Sequence, residues 1–197
     1  MRRLMMAALV SGLALSGTYA QAVPWTVQVK NAAGQPLADA VVAVEVRGRP
    51  AKTTTAKADM AQRDRQFAPQ VLVIQTGTAV NFPNFDTVRH HVYSFSPIKV
   101  FETKLYSGTP SDPIVFDKPG IAALGCNIHD RMSAHIVVVD TALFVKTDAS
   151  GMARFADLPT GEHQVKTWFS GMKTPTFGSQ TLSVGSSAGL TTVSLSE

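Results

Sequence analysis

Short runs of alternating apolar and polar residues, separated by turn residues, fill most of the chain after its N-terminal segment. Alternation with a period of two is typical of half-buried β-strands. Residues 31–36 are rich in Asn, Gly and Pro and predict a turn, whereas the polar residues 56–65 are compatible with a short helical turn. No segment carries a long helical pattern. We therefore predict an all-β protein of antiparallel sandwiches or barrels. Strands are predicted over residues 25–30, 40–46, 70–75, 79–82, 114–116, 121–125 and 134–139.

The N-terminal segment has the form of a secretory signal. Residues 2–3 are arginines, residues 4–15 are uncharged and mostly apolar, and small residues follow with possible cleavage after Ala20 or Ala22. This order is typical of a signal peptide, and the apolar run is too short to span a bilayer. A retained helical anchor is the alternative, but the small residues favour cleavage. We expect residues 1–22 to be removed and the mature protein to be periplasmic, with no membrane span.

Composition excludes other classes of protein. The formal charge of +4 includes the two arginines of the signal, so the mature chain carries 16 basic and 14 acidic side chains. A net charge this small argues against a nucleic-acid-binding protein. The apolar fraction of 45% is normal for a packed globular protein. Roughly 175 mature residues suffice for one large domain or two small ones.

Metal-binding side chains are concentrated in residues 124–132. Cys126, His129 and Met132 are spaced three apart, and Cys126 is the only cysteine of the chain. Thiolate, imidazole and thioether are soft ligands that select copper, and two histidines with one cysteine and a long axial methionine form a blue-copper site. The missing histidine would come from the adjacent pair His90 and His91. The spacing therefore predicts a copper site assembled by tertiary folding.

A lone cysteine in an exported protein supports the same prediction. A single thiol cannot form an internal disulfide, and an exposed thiol would be oxidised or would pair between chains. A metal-bound thiolate avoids both outcomes. The alternative is a buried cysteine that acts as a small apolar side chain. His129 and Met132 beside Cys126 favour metal binding.

Residues 67–140 resemble the cupredoxins, the group of plastocyanin and amicyanin. The resemblance rests on residues 67–69, on Asn84-Phe85-Asp86 four residues ahead of His90, and on a Pro-Gly turn within residues 116–120. The two residues between Cys126 and His129, and between His129 and Met132, match the short ligand loop of amicyanin. Residues 90–96 and 125–132 are also similar to bacterial proteins labelled methylamine utilization proteins. The resemblance implies a Greek-key β-sandwich with the metal ligands His90, Cys126, His129 and Met132.

Two departures from the cupredoxin pattern place polar groups near the predicted metal. His91 occupies a position that is usually Asn in plastocyanin-like sites, and Asp130 and Arg131 stand where amicyanin has a proline and an aromatic residue. A reduction potential therefore cannot be carried over from the family, because hydrogen bonds and solvent access around the ligands tune it.

His90 is the predicted ligand of the histidine pair. Adjacent residues on an extended strand point to opposite faces, so only one imidazole can reach a small ion. Val92 would share the inward face of His90, and the spacing from Asp86 is that seen before the first ligand of plastocyanin-like proteins. The other face, with His91, Tyr93 and Phe95, is aromatic and would be the core face in the opposite register.

The two ends of the mature chain carry a second resemblance. Residues 29–42 and 147–163 resemble hairpins of a carboxypeptidase regulatory-like, or transthyretin-like, sandwich. These two segments lie on either side of the predicted copper region in the sequence. We predict a small sandwich made from residues 23–58 and 141–197, with a cupredoxin domain at 59–140 inserted in it or packed beside it. The alternative is one continuous sandwich with additional segments at its edge.

Three functions are compatible with these ligands, namely electron transfer, copper carriage or storage, and redox catalysis. A multicopper enzyme commonly has histidines beside its cysteine and His-x-His pairs, whereas Cys126 is flanked by Gly125 and Asn127 and no His-x-His occurs. We therefore predict no enzyme. Zinc is the alternative metal, with Asp130 as a substitute ligand, but a methionine at this spacing argues against zinc.

The predicted function is to shuttle single electrons through one type 1 copper ion. A copper carrier without an electron-transfer role is the alternative. Expected partners are redox proteins such as a c-type cytochrome or a dehydrogenase. We expect His129 to reach the surface while Cys126 does not. Arg131 is a candidate to steer an acidic partner, and a solvated loop charge is the alternative.

Overall fold

A computed structural model describes residues 21–49, 53–110, 112–129 and 131–196. All regular elements in these ranges are β-strands, and no helix there is long and apolar enough to cross a membrane. The predicted signal peptide lies, up to residue 20, outside the described residues.

Seven strands from the two ends of the chain form two facing sheets. One sheet has three strands in the order β14-β1-β17, and the other has four in the order β13-β2-β15-β16. The two terminal strands of the chain, β1 and β17, pair in parallel. The strands are β1 (Ala22–Asn31), β2 (Val41–Glu45), β13 (Phe144–Lys146), β14 (Met152–Pro159), β15 (Gly161–Trp168), β16 (Gly178–Val184) and β17 (Gly189–Leu195).

Ten strands between β2 and β13 form a second sandwich. Its larger sheet has the order β6-β12-β11-β8-β9, its smaller sheet the order β10-β7-β3, and β4 pairs with β5. The chain passes from the larger sheet at β6 to the smaller sheet at β7 and back at β8. The pairs β6 with β12 and β3 with β7 are parallel. The strands are β3 (Lys57–Asp59), β4 (Ala61–Arg63), β5 (Gln66–Ala68), β6 (Val71–Gln75), β7 (Ala79–Asn81), β8 (Tyr93–Ser96), β9 (Lys99–Glu102), β10 (Ile114–Val115), β11 (Gly120–Gly125) and β12 (Ser133–Val139).

The chain leaves the flanking sandwich after β2 and returns to it at β13, which pairs with β2. The predicted fold class, all-β with one β-sandwich inserted in or packed beside a second, is confirmed. The domain boundaries drawn from the sequence stay a prediction.

Three apolar clusters make the core. One fills the flanking sandwich, a second fills the central sandwich, and a third joins the two sandwiches. Strands buried on both faces read as continuous apolar runs, and β2 and β12 are of this kind. Val42 and Val44 face the flanking core, whereas Val41 and Ala43 face the central sandwich. The third cluster comprises the buried residues Val41, Ala43, Val71, Ile121, Val137, Val139 and Trp168.

The helical turn considered for residues 56–65 is wrong. These residues form β3, β4 and a tight turn. β3 pairs with β7 and β4 pairs with β5, and the side chains of Met60 and Gln62 are fully buried. Pairing with strands elsewhere in the chain overrides the weak local preference of a polar segment.

Candidate metal centre

The loop that carries the predicted ligands closes a hairpin. Gly125 at the end of β11 pairs with Ser133 at the start of β12, so Cys126, His129 and Met132 lie in the connection between paired strands. The amide of Met132 donates to the carbonyl of His129 at 2.9 Å. This turn brings the three side chains to one end of the central sandwich.

His90 enters the same end from the segment before β8. Its amide donates to the carbonyl of Tyr106 at 3.0 Å, and the amide of Tyr106 donates back at 2.9 Å. This reciprocal pair fixes the backbone, and the side chain of His90 is fully buried. Val92 belongs to the same central core.

The imidazoles of His90 and His129 meet the thiol of Cys126. The distances from Cys126 Sγ are 4.0 Å to His90 Nδ1 and 3.8 Å to His129 Nδ1, and the three potential ligand atoms lie within 4.8 Å of one another. Metal–nitrogen bonds of about 2.1 Å and metal–sulfur bonds of about 2.3 Å place such ligand atoms roughly 3.6–3.8 Å apart. The donor set therefore fits a single ion of the copper or zinc type. His90 and Cys126 are buried and His129 is half-buried, which agrees with the expectation that His129 is the more accessible ligand.

Met132 lies next to this group. It is buried in the same apolar cluster as Cys126. Both residues also line a cleft of about 560 Å³, together with Tyr93 and Phe95 from the face of β8. The structure thus brings His90, Cys126 and His129 together as a donor cluster and places Met132 beside the cysteine. That these four residues bind copper stays a prediction.

His91 points away from the donor cluster. Its Nε2 lies 2.9 Å from Glu102 Oε1, and its ring contacts the ring of Tyr93 at 5.7 Å between centroids. Of the two polar residues that depart from the amicyanin loop, Arg131 is exposed and Asp130 lies outside the described residues.

The carboxylate of Asp86 is the main polar group behind His90. Its Oδ2 lies 2.7 Å from His90 Nε2, and it accepts hydrogen bonds from the amides of Asp64 at 2.7 Å and Arg65 at 3.0 Å. Burial alone would raise the pKa of Asp86, but the hydrogen bonds from Arg65, His90 and Asp64 together hold that pKa below its usual value. The sequence marked Asp86 only by its spacing from His90, and it carried no signal for the contribution of Asp64 and Arg65.

Tyr106, the backbone partner of His90, is itself anchored through its side chain. Its hydroxyl donates to the carbonyl of Phe82 at 2.7 Å and accepts from the side chain of Gln62. Burial raises the pKa of Tyr106 to about 12. The phenol therefore stays protonated and holds the segment opposite His90 in place.

Comparisons with known proteins find a likeness in solved structures alone. No protein-family model matches the chain, and no curated protein matches it. The structural neighbours are cupredoxins and a copper enzyme. The purple cupredoxin of Nitrosopumilus maritimus matches with 21% identity over 43% of this chain and 99% of its own, at a TM-score of 0.37. Amicyanin of Paracoccus versutus matches with 16% identity over 50% of this chain and 97% of its own, at a TM-score of 0.36.

The copper enzyme is the Cu-containing nitrite reductase of Thermus scotoductus SA-01. It matches with 25% identity over 58% of this chain, at a TM-score of 0.39, and the chain spans 28% of its length.

Proposed function

We propose that this protein is an exported type 1 copper protein that passes single electrons between redox partners. The observation that carries the proposal is the cluster of His90, Cys126 and His129, with His90 and Cys126 buried and His129 half-buried, at one end of the central sandwich. A copper ion bound there would supply reversible one-electron chemistry. The protein itself would act as a carrier and not as an enzyme.

The residues that would bind copper already lie close together in the folded chain. His90 is held by the backbone pair with Tyr106, and Cys126 follows directly on β11. Ligands that need little movement suit both oxidation states of a bound metal. His129, half-buried, is the ligand through which we expect electrons to enter and leave.

The donor types favour copper over zinc. Thiolate and thioether sulfur select soft copper, whereas zinc sites prefer cysteine, histidine and carboxylate. Met132 is buried beside Cys126, which supports copper as the metal.

Copper carriage is the second candidate, and one observation favours it. The cleft next to β8 is lined by both sulfur-bearing residues, Cys126 and Met132, and it opens to solvent. Such an opening would let an ion enter and leave without unfolding of the sandwich.

A copper titration of the purified protein tests the proposal. We expect an intense thiolate-to-copper absorption in the visible range that bleaches on reduction and returns on oxidation. The variant Cys126→Ser should show no such band, because the absorption requires the thiolate. A colourless protein that binds cuprous ion tightly would support carriage, and a protein that binds zinc in preference to copper would contradict both.

The proposal also includes export of the chain and electron exchange with redox partners. Residues 1–22 would direct the chain to the periplasm, and the partners would be a c-type cytochrome or a dehydrogenase. A role in methylamine utilization rests on the resemblance of residues 90–96 and 125–132. An N-terminus beginning at residue 21 or 23, found in protein recovered from a periplasmic extract, would support export.

A further inference from the structure

The turn between β4 and β5 presents two backbone amides to one carboxylate. Asp64 and Arg65 both have left-handed backbone angles, with φ of 53° and 57°. Two consecutive left-handed residues form the tight hairpin turn that matches the twist of its strands. Their amides donate to the two different oxygens of Asp86. The carboxylate is thereby fixed from outside its own loop.

The loop of Asp86 fixes the carboxylate from within. The amide of Asp86 donates to Asn84 Oδ1 at 2.9 Å, and the side-chain amide of Asn84 donates to the carbonyl of Val88 at 2.9 Å. Asn84 is itself buried. Both the position and the orientation of the carboxylate are therefore set before any metal binds.

The contact with His90 then determines which nitrogen of that imidazole carries the hydrogen. An ionised carboxylate only accepts hydrogen bonds, so the ring nitrogen facing it, Nε2, carries the hydrogen. This leaves the lone pair of Nδ1 directed at the donor cluster, 4.0 Å from Cys126 Sγ. The exposed fractions of the two side chains are 0% for His90 and 14% for Asp86, so water screens the contact little.

We infer that Asp86 is a positioning residue for the copper site, held by the amides of Asp64 and Arg65, and that it fixes the tautomer and ring orientation of His90. The inference rests on the proposed function. A carboxylate hydrogen-bonded behind a ligating imidazole also favours the oxidised over the reduced metal, because its attraction grows with the charge of the ion. A turn in a separate hairpin thus contributes to the metal site without touching a ligand.

Asp86→Asn tests the inference through two independent measurements. In the metal-free protein, at a pH where the imidazole is neutral, ¹⁵N spectra should show His90 as the Nε2–H tautomer in the wild type and as a mixture in the variant. With copper, cupric affinity should fall about 10–100-fold and the reduction potential should rise. Asp117→Asn is the matched control, since Asp117 pairs with Lys99 and touches no predicted ligand; it should change neither quantity.

The outcomes separate the inference from the proposed function. A wild-type His90 with its hydrogen on Nδ1 would overturn the inference, and so would an Asp86→Asn variant with unchanged cupric affinity and potential. If the wild type binds no copper, the proposed function fails, while the tautomer measurement still decides the positioning of His90. Should Asp86→Asn not fold, the wild-type tautomer decides alone.

Discussion

At the scale of single residues, the neighbours His90 and His91 lie in an extended segment before β8 and have different surroundings. His90 faces the thiol of Cys126, whereas His91 faces Glu102 and the ring of Tyr93. The pleat of an extended chain sends neighbouring side chains to opposite faces. His91 Nδ1 is buried without a hydrogen-bond partner within the described part of the chain, so its ring is held chiefly by Glu102 and by packing.

Alanine variants of the pair should therefore behave differently. We expect His90→Ala to abolish the visible copper band, as Cys126→Ala does. His91→Ala should retain the band with a shifted reduction potential, because Glu102 is exposed and can be hydrated when its partner is lost. Copper titration followed by optical spectroscopy measures both. A band that survives in His90→Ala and vanishes in His91→Ala would reverse the ligand assignment.

At the scale of elements, the turn between β6 and β7 depends on Gly77. Its φ is +96°, and a Cβ added there would lie 2.4 Å from the carbonyl oxygen of Thr54. The amide of Gly77 also donates to the carbonyl of Phe116 at 2.7 Å, which ties the turn to the end of β10. A side chain would thus meet both an unfavourable backbone angle and a rigid neighbour.

Gly77→Ala is expected to lower the free energy of unfolding by about 2–5 kcal/mol, the sum of left-handed strain and overpacking. Gly34→Ala is the matched control. Gly34 has a φ of +79° but no atom within 4 Å of an added Cβ, so strain alone should cost about 1–2 kcal/mol. Denaturant unfolding measures both variants. Equal losses of stability in the two variants would show that the contact with Thr54 adds no cost.

At the scale of the whole molecule, the third apolar cluster joins the two sandwiches. Trp168 of β15 and Val41 of β2 pack there against Ile121 and Val137 of the central sheet. We propose that β1, β2 and β13 to β17 form one domain and the strands of the central sandwich another, coupled through this cluster. Both tryptophans of the chain, Trp25 and Trp168, lie in the flanking sandwich, while the single cysteine lies in the central one.

Trp168→Ala should cost about 3–5 kcal/mol of stability, as expected for a large buried aromatic, and should uncouple the sandwiches. In the metal-free variant, fluorescence of Trp25 and reactivity of Cys126 with a thiol reagent should change at different denaturant concentrations, whereas in the wild type they change together. Trp168→Phe is the control. Trp168 Nε1 is buried without a partner within the described residues, so phenylalanine should cost much less. Coincident transitions in Trp168→Ala would contradict the two-domain proposal.

The sequence alone was sufficient wherever the determining interactions are local. The continuous apolar runs of β2 and β12 are typical of strands buried on both faces. The spacing of Cys126, His129 and Met132 needs only a hairpin connection between paired strands. The fold class and the grouping of these three residues could therefore be predicted. The order of the flanking hairpins also pointed to strands contributed by both ends of the chain.

The tertiary structure decided whatever depends on residues distant in the chain. It placed His90 and not His91 against Cys126, and it paired residues 57–59 and 61–63 as strands. It also brought the amides of Asp64 and Arg65 to the carboxylate of Asp86. Main-chain amides are common to all residues except proline, so a site built from them leaves no pattern of side chains in the sequence. Strand pairing across long separations is likewise set by the packing of whole faces, which no local period encodes.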